Sequence, residues 1–405
     1  MSLLTPLRAL RPAPAAAADV ASVPYDVVNA DEARALAGSH PLSFLHVTRS
    51  EIDLPPGTDP YSDAVYARAR QNLDALVAQG ALVRDDAPAL YVYRVRMGAH
   101  AQIGIAGGFS LDEYDRGLVK KHEKTRKDKE DDRTRHIVEL RAQTGVVFLT
   151  YRRSADVDAV AARVTAGAPL HDFTAADEVT HTIWRVTGAD MDALVRAFGA
   201  IPATYIADGH HRAASAARAR QALEARGERT AAAQAFVAVA FPDTQAQILP
   251  YNRVVKDLAG HTPASLLEAM RATITVGDGA PVPARAREVS MYLDGRWYAV
   301  ALPPVPAGTP RADALDVEVL QQTVLAPLLK VGDPRTDKRI DFVGGIRGPA
   351  ELERLVQTGR AAVAFSLAAV SVQDLMAIAD EGGIMPPKST WFEPKLRDGL
   401  LVHMI

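Results

Sequence analysis

Between residues 101 and 255, short apolar runs alternate with segments of helical periodicity, and that alternation restricts the chain to a mixed α/β architecture. "VVFLTY", "TIWRV", "ATYIAD" and "AFVAVAFP" are strand-length and rich in β-branched or aromatic residues. The intervening "SADVDAVAARVTAG", "ADMDALVRAFGAI" and "HHRAASAARARQALEARG" carry the spacing of helices. The expectation is an α/β (α+β) fold with a mixed-sheet core over 101–255. An N-terminal α/β region over 1–100 and a C-terminal one over 256–405 flank it. A chain of 405 residues exceeds what one hydrophobic core usually supports, which agrees with such a division.

The flanks are read by the same signals. "NADEARALAGS" has an Asn or Asp cap, "DPYSDAVYARARQNLDALVAQGAL" reads as an amphipathic helix ending at Gly80, and "ALYVYRVRM" with "AQIGIAGGFSL" as a strand pair. Towards the C-terminus, "EVSMYLDGRWYAVAL" predicts a hairpin with an Asp-Gly turn. The chain has no cysteine, so disulfides, thiolate metal sites and cysteine nucleophiles are excluded, and a reducing cytoplasmic location is expected. Its formal net charge of −3 offers no global surface for nucleic acid. The apolar start is broken by Arg8, Arg11, Pro12 and Pro14, unlike an export signal. No stretch is apolar for long enough to span a membrane.

The segment "TYIADGHHRAASAARARQ" turns an apolar strand into a helix through Asp208 and Gly209. Asp208 stands where an N-cap belongs, and Gly209 permits a tight turn. The first-turn N–H groups can then meet an anion, with His210, His211 and Arg212 adding donors and positive charge. Cations at a helix N-terminus oppose the dipole, so the arrangement points to a phosphate ligand rather than to helix stability. Packing or a loop hydrogen bond for the two histidines is the alternative. Adjacent histidines point apart, and no ligand spacing around them marks a zinc site.

Upstream, "KKHEKTRKDKEDDRTRH" holds eight basic and five acidic residues in 17, which mostly reads as a solvated helix face. Within it Glu123 follows His122 among cations and is an eligible general base where it faces a pocket. Asp132 and Arg133 fit a helix start. Smaller clusters are Tyr25 and Asp26 in "VPYDVV", Asn252 and Arg253 in "LPYNRVV", and Lys388, Ser389, Thr390 and Lys395 in "MPPKSTWFEPK". The last lacks the glycines of a Walker A loop. Each of these fits turn chemistry as well as a ligand loop.

The order "PYDV", "KKHEKT…DDR", "YIADGHHR", "LPYNRVV", "MPPKSTWFEPKL" resembles the prokaryotic family known as domain of unknown function 1015, across nearly the whole chain. The central "HE" and "DGHHR" segments also resemble the free serine kinases, which have a ParB/sulfiredoxin-like fold. That resemblance implies a phosphotransferase using Mg²⁺ with ATP or ADP on a small-molecule hydroxyl, L-serine first. Glu123, Asp208 and His211 would be catalytic. Gly209, His210, His211 and Arg212 would bind nucleotide phosphate, with Asp208 on the metal side. Lys120, Lys121, His122, Arg133, Arg253 and Lys388 are secondary candidates. Sulfiredoxin chemistry needs a cysteine this chain lacks, and no recognition helix supports ParB-like DNA clamping. A nucleotide or phosphoester hydrolase, and a nucleotide-binding regulator without turnover, remain open alternatives. The expected partners are nucleotide and small-molecule substrate, without nucleic acid or membrane, and self-association to a homo-oligomer is left open.

Overall fold

The computed structural model describes residues 3–405. It divides into two compact units, the chain up to Ala246 joined by Pro394–Ile405, and Gln247–Glu393. This differs from the three consecutive regions expected. The boundary drawn at residue 100 lies at a hairpin whose strands Leu90–Met97 and His100–Ser110 pair from Tyr91 with Ala106 to Met97 with His100, so the two sides share one sheet.

The first unit is built on a nine-stranded sheet. Its strands are β1 (Leu4–Thr5), β2 (Leu90–Met97), β3 (His100–Ser110), β4 (Val119–Lys120), β5 (Val147–Tyr151), β6 (His171–Thr174), β7 (Thr180–Val186), β8 (Thr204–Asp208) and β9 (Ala235–Pro242). The order is β4-β8-β5-β9-β3-β2-β7-β6, with β1 beside β3. Only β4/β8 and β5/β9 run parallel among these neighbours. The mixed α/β class read from the sequence is therefore the fold observed. Helices α1 (Asp63–Ala78), α2 (Lys127–Leu140), α3 (Ala155–Thr165), α4 (Gly188–Gly199) and α5 (His210–Ala225) accompany it. The core gathers Val92, Phe109, Leu149, Trp184, Phe198 and Phe236 from the strands and α4. Ala213, Ala216, Ala217 and Ala219 of α5 are buried in that core, their small side chains letting the helix approach closely.

Helix α2 begins inside the charged block at Lys127 and runs beyond it to Leu140. Arg141 takes a left-handed conformation with φ 51° and terminates the helix. Much of the block's charge is spent on ion pairs along one face: Arg218 of α5 meets Glu130 and Asp131. The Asn cap expected in "NADEARALAGS" is present, Asn29 and Glu32 forming a reciprocal capping box.

The second unit carries an antiparallel six-stranded sheet. Its strands include β10 (Tyr251–Val255), β11 (Thr275–Asp278), β12 (Glu288–Leu293) and β13 (Arg296–Ala301), the last two making the expected Asp-Gly hairpin. They also include β14 (Ile340–Gly344) and β15 (Val363–Ser366). No helix among the described residues is long and apolar enough to cross a membrane.

Candidate functional site

Parallel pairing of β4 with β8 creates the site. Val119 lies opposite Thr204 and Lys120 opposite Tyr205, so both strands end on the same side of the sheet. Ligand groups in open α/β sheets gather beyond such carboxyl ends. His122 and Glu123 follow β4 by two and three residues, and Gly209 with His210 follows β8. The two motifs, far apart in sequence, consequently meet: Nδ1 of His210 is 3.9 Å from Oε2 of Glu123. The His122 and His210 rings stand perpendicular with centroids 4.4 Å apart, and the His122 N–H donates to Nε2 of His210 at 3.4 Å. Next along the chain, Nε2 of His211 accepts from the Arg126 N–H at 2.9 Å, docking the loop after β4 onto the start of α5.

Gly209 is the N-cap of α5, with φ +97°, and no side chain caps the helix. The expected cap, Asp208, is the last residue of β8 and its carboxylate is used elsewhere. Oδ2 accepts from Nζ of Lys395 at 3.1 Å, and Oδ1 lies 3.7 Å from Nη2 of Arg212. Burial pushes this carboxyl up, but Lys395 and Arg212 outweigh it and hold the group well below the usual carboxylate range. The first-turn N–H groups of α5 have no intrahelical acceptors, as at any helix start, and no acidic side chain occupies that turn.

Arg212 is 6% exposed and works as a buried clamp. Its Nη2 reaches Asp26 at 3.1 Å, and its Nη1 donates to the Val146 carbonyl. Two glycines make its channel. A Cβ on Gly145 would stand 2.9 Å from Cδ of Arg212, and one on Gly209 would stand 3.3 Å from Cζ. Asp398, 1% exposed, completes the cluster. Its carboxyl is pushed up to about 7 by burial and by Asp26, against the opposing pull of Arg212, while the Tyr25 and Val146 N–H groups bond it. Two loops quoted from the sequence, "VPYDVV" and the end of "WFEPK", thus converge on "DGHHR" through Asp26 and Lys395. Asp398 carried no recognisable signal, because an Asp-Gly near a C-terminus reads as an ordinary turn.

Burial lowers the His122 pKa to about 4 and that of His210 well below its ordinary value, so both imidazoles are neutral at pH 7. Glu123 keeps 42% of its side chain exposed, giving the cluster one open side. Of the secondary candidates, Lys121 places Nζ 3.8 Å from the Tyr114 ring centroid, where desolvation lowers its pKa. Arg133 packs over Tyr25, is bound to Asp132, and shares with Arg212 the lining of a cavity of about 20 Å³, room for about one water. Arg253 and Lys388 belong to the second unit. There the buried Arg253 guanidinium donates to the Pro387 carbonyl at 3.1 Å, and Nζ of Lys388 lies 5.6 Å from the Tyr251 ring.

His122, Glu123 and His210 are the one group of three metal-ligating side chains found together among the described residues, with donor atoms all within 4.8 Å of one another. The spacing around His210 and His211 hid it, because the partners come from β4, 87 and 88 residues earlier. Mg²⁺ demands octahedral oxygen ligands. Two imidazoles and one carboxylate do not supply them, and the Asp208 carboxylate is already bound to Lys395 and Arg212. These residues therefore do not make a protein cage for Mg²⁺.

No curated protein matches the sequence. Among solved structures, a conserved hypothetical protein from Pyrococcus furiosus is similar at 14% identity, covering 74% of this chain and 95% of that one, with a TM-score of 0.35. A free serine kinase in complex with AMP is similar at 13% identity, with 71% and 86% coverage and a TM-score of 0.35. SbnI from Staphylococcus aureus, with a C-terminal truncation, is similar at 10% identity, with 73% and 86% coverage and a TM-score of 0.40. At such identities and TM-scores these likenesses assign neither substrate nor reaction. The family model described as "Protein of unknown function (DUF1015)" matches residues 4–320, and the chain belongs to that family.

Proposed function

We propose that the protein transfers a phosphoryl group from a nucleotide, ATP or ADP, to the hydroxyl of a small molecule, free L-serine being the first candidate. The observation that carries this reading is the 3.9 Å approach of Glu123 to His210, which sets a half-open carboxylate beside the N-terminal turn of α5. Uncapped N–H groups and the positive end of a 16-residue helix favour phosphate oxygens there. An acceptor hydroxyl held between that phosphate and Glu123 gives its proton to the carboxylate as its oxygen bonds to phosphorus. The bridging P–O bond then breaks, and the shortened nucleotide leaves with the electron pair. Neutral His210 stands ready as a hydrogen-bond partner for Glu123. Asp208, Lys395 and Arg212 act as positioning residues that hold the strand-to-helix turn, and His211 docks the loop carrying Glu123. Mg²⁺ in this reading belongs to the nucleotide's phosphate oxygens rather than to side chains of this chain.

The test is phosphorus NMR of the protein with Mg²⁺, L-serine and either nucleotide. A phosphoserine resonance that falls at least ~100-fold in rate in Glu123→Gln, with nucleotide binding retained, is expected. Nucleotide loss that needs no acceptor would favour a hydrolase. Tight nucleotide binding with no turnover, indifferent to Glu123→Gln, would favour a regulator.

A further inference from the structure

We propose that His122, Glu123 and His210 form a binding site for one divalent cation of the zinc class. Two imidazoles and a carboxylate are the donor set of many three-ligand zinc centres, and they suit late first-row ions over Mg²⁺. All three donor atoms already lie within 4.8 Å of one another, so a cation near their midpoint needs only small side-chain rotations. The backbone fixes the arrangement, since His122 and Glu123 leave β4 beside the turn where His210 leaves β8.

The surroundings match such a centre as well. The His122 ring bonds the Ile206 carbonyl, the kind of outer contact that sets tautomer and ring orientation in metal-bound histidines. Both rings are buried, and an imidazole binds a metal through one ring nitrogen while the other keeps its proton. The open side at Glu123 leaves a coordination position for water or a ligand. Binding through Nδ1 of His210 moves its proton to Nε2 and gives up the contact from the His122 N–H. At 3.4 Å that contact is long, and its loss is small against new metal–ligand bonds. His211 is not in this group of donor atoms, and its Nε2 accepts from the Arg126 N–H at 2.9 Å.

The site does not rest on the phosphotransfer reading, since Glu123 cannot accept a proton as a base while it binds the cation, and its test uses no nucleotide. Full-length protein stripped with chelator is titrated with Zn²⁺ against a chromophoric zinc indicator, and with Co²⁺ to record its visible absorption. We expect one equivalent of tight zinc and a Co²⁺ band of low-coordinate nitrogen–oxygen type. Glu123→Gln, His122→Asn and His210→Asn should each weaken zinc by at least ~10-fold, whereas His261→Asn, a histidine of the second unit, should not change it. Circular dichroism checks that each variant is folded. Should the buried histidine variants unfold, the half-exposed Glu123→Gln variant reads the same loss. Zinc affinity unaffected by Glu123→Gln, equal loss in His261→Asn, or Mg²⁺ displacing zinc at equal concentration would each overturn the site.

Discussion

Asp398→Asn exchanges a buried acid for an uncharged group of the same shape. In the folded chain its carboxyl titrates at about 7, against 3.8 for the ordinary group, because burial and Asp26 outweigh Arg212. A folded pKa above the unfolded one means the native state holds the proton more tightly. The stability this lends is fully present below the unfolded value and is lost as pH rises toward the folded one. At ~1.36 kcal/mol per pH unit the window spans about 4 kcal/mol. The amide cannot ionise, so this term vanishes in the variant. The amide NH2 takes the place of Oδ2, a buried oxygen with no hydrogen-bond partner, and adds buried donors there, costing ~1 kcal/mol. The two stability curves should therefore cross. Wild type should lead by ~1 kcal/mol near the acid end and trail by ~3 kcal/mol once pH exceeds the folded value. Urea unfolding followed by circular dichroism across this range measures it, and titrating groups that do not interact with Asp398 cancel in the difference. Curves that stay parallel within ~1 kcal/mol would refute an Asp398 that is protonated beside Arg212.

Two further outcomes follow from the same cluster. Lys395→Met leaves Asp208 with Arg212 as its remaining cation in the cluster, and should cost about 1–3 kcal/mol at pH 7. Because Asp208 is held low in the native state, its stabilisation is present above the unfolded pKa and fades on acidification. The deficit of Lys395→Met should therefore shrink at low pH, and a pH-independent deficit in denaturant titrations would contradict the pairing. Gly209→Ala puts a Cβ on a residue at φ +97° and 3.3 Å from the Arg212 guanidinium carbon, so urea unfolding should show a loss of about 1–3 kcal/mol. An unchanged midpoint would mean that the turn is not strained against side chains.

Local interactions were legible in the residues alone. The strand and helix patterns, the Asn29 cap and the Asp-Gly hairpin depend on contacts within a few positions, and the pattern of apolar residues reports them. The strand-to-helix turn at Gly209 was legible for the same reason, as was the candidacy of Glu123 beside His122. The position of the helix cap was not. Gly209 and Asp208 both suit that place, and the choice went to glycine once Lys395 and Arg212 drew the Asp208 carboxylate away.

Long-range pairing decided everything else. Which strands lie parallel is set by how the apolar faces pack, and the β4/β8 register alone brings Glu123 within 3.9 Å of His210. The return of Pro394–Ile405 to the first unit, carrying Lys395 and Asp398, is likewise invisible in sequence, since no local signal says which sheet a terminal segment joins. The residue types and their local elements were thus determined by the sequence itself. The charge balance around Arg212 and the metal-ready geometry at His122, Glu123 and His210 arose only when burial forced distant polar groups to satisfy one another.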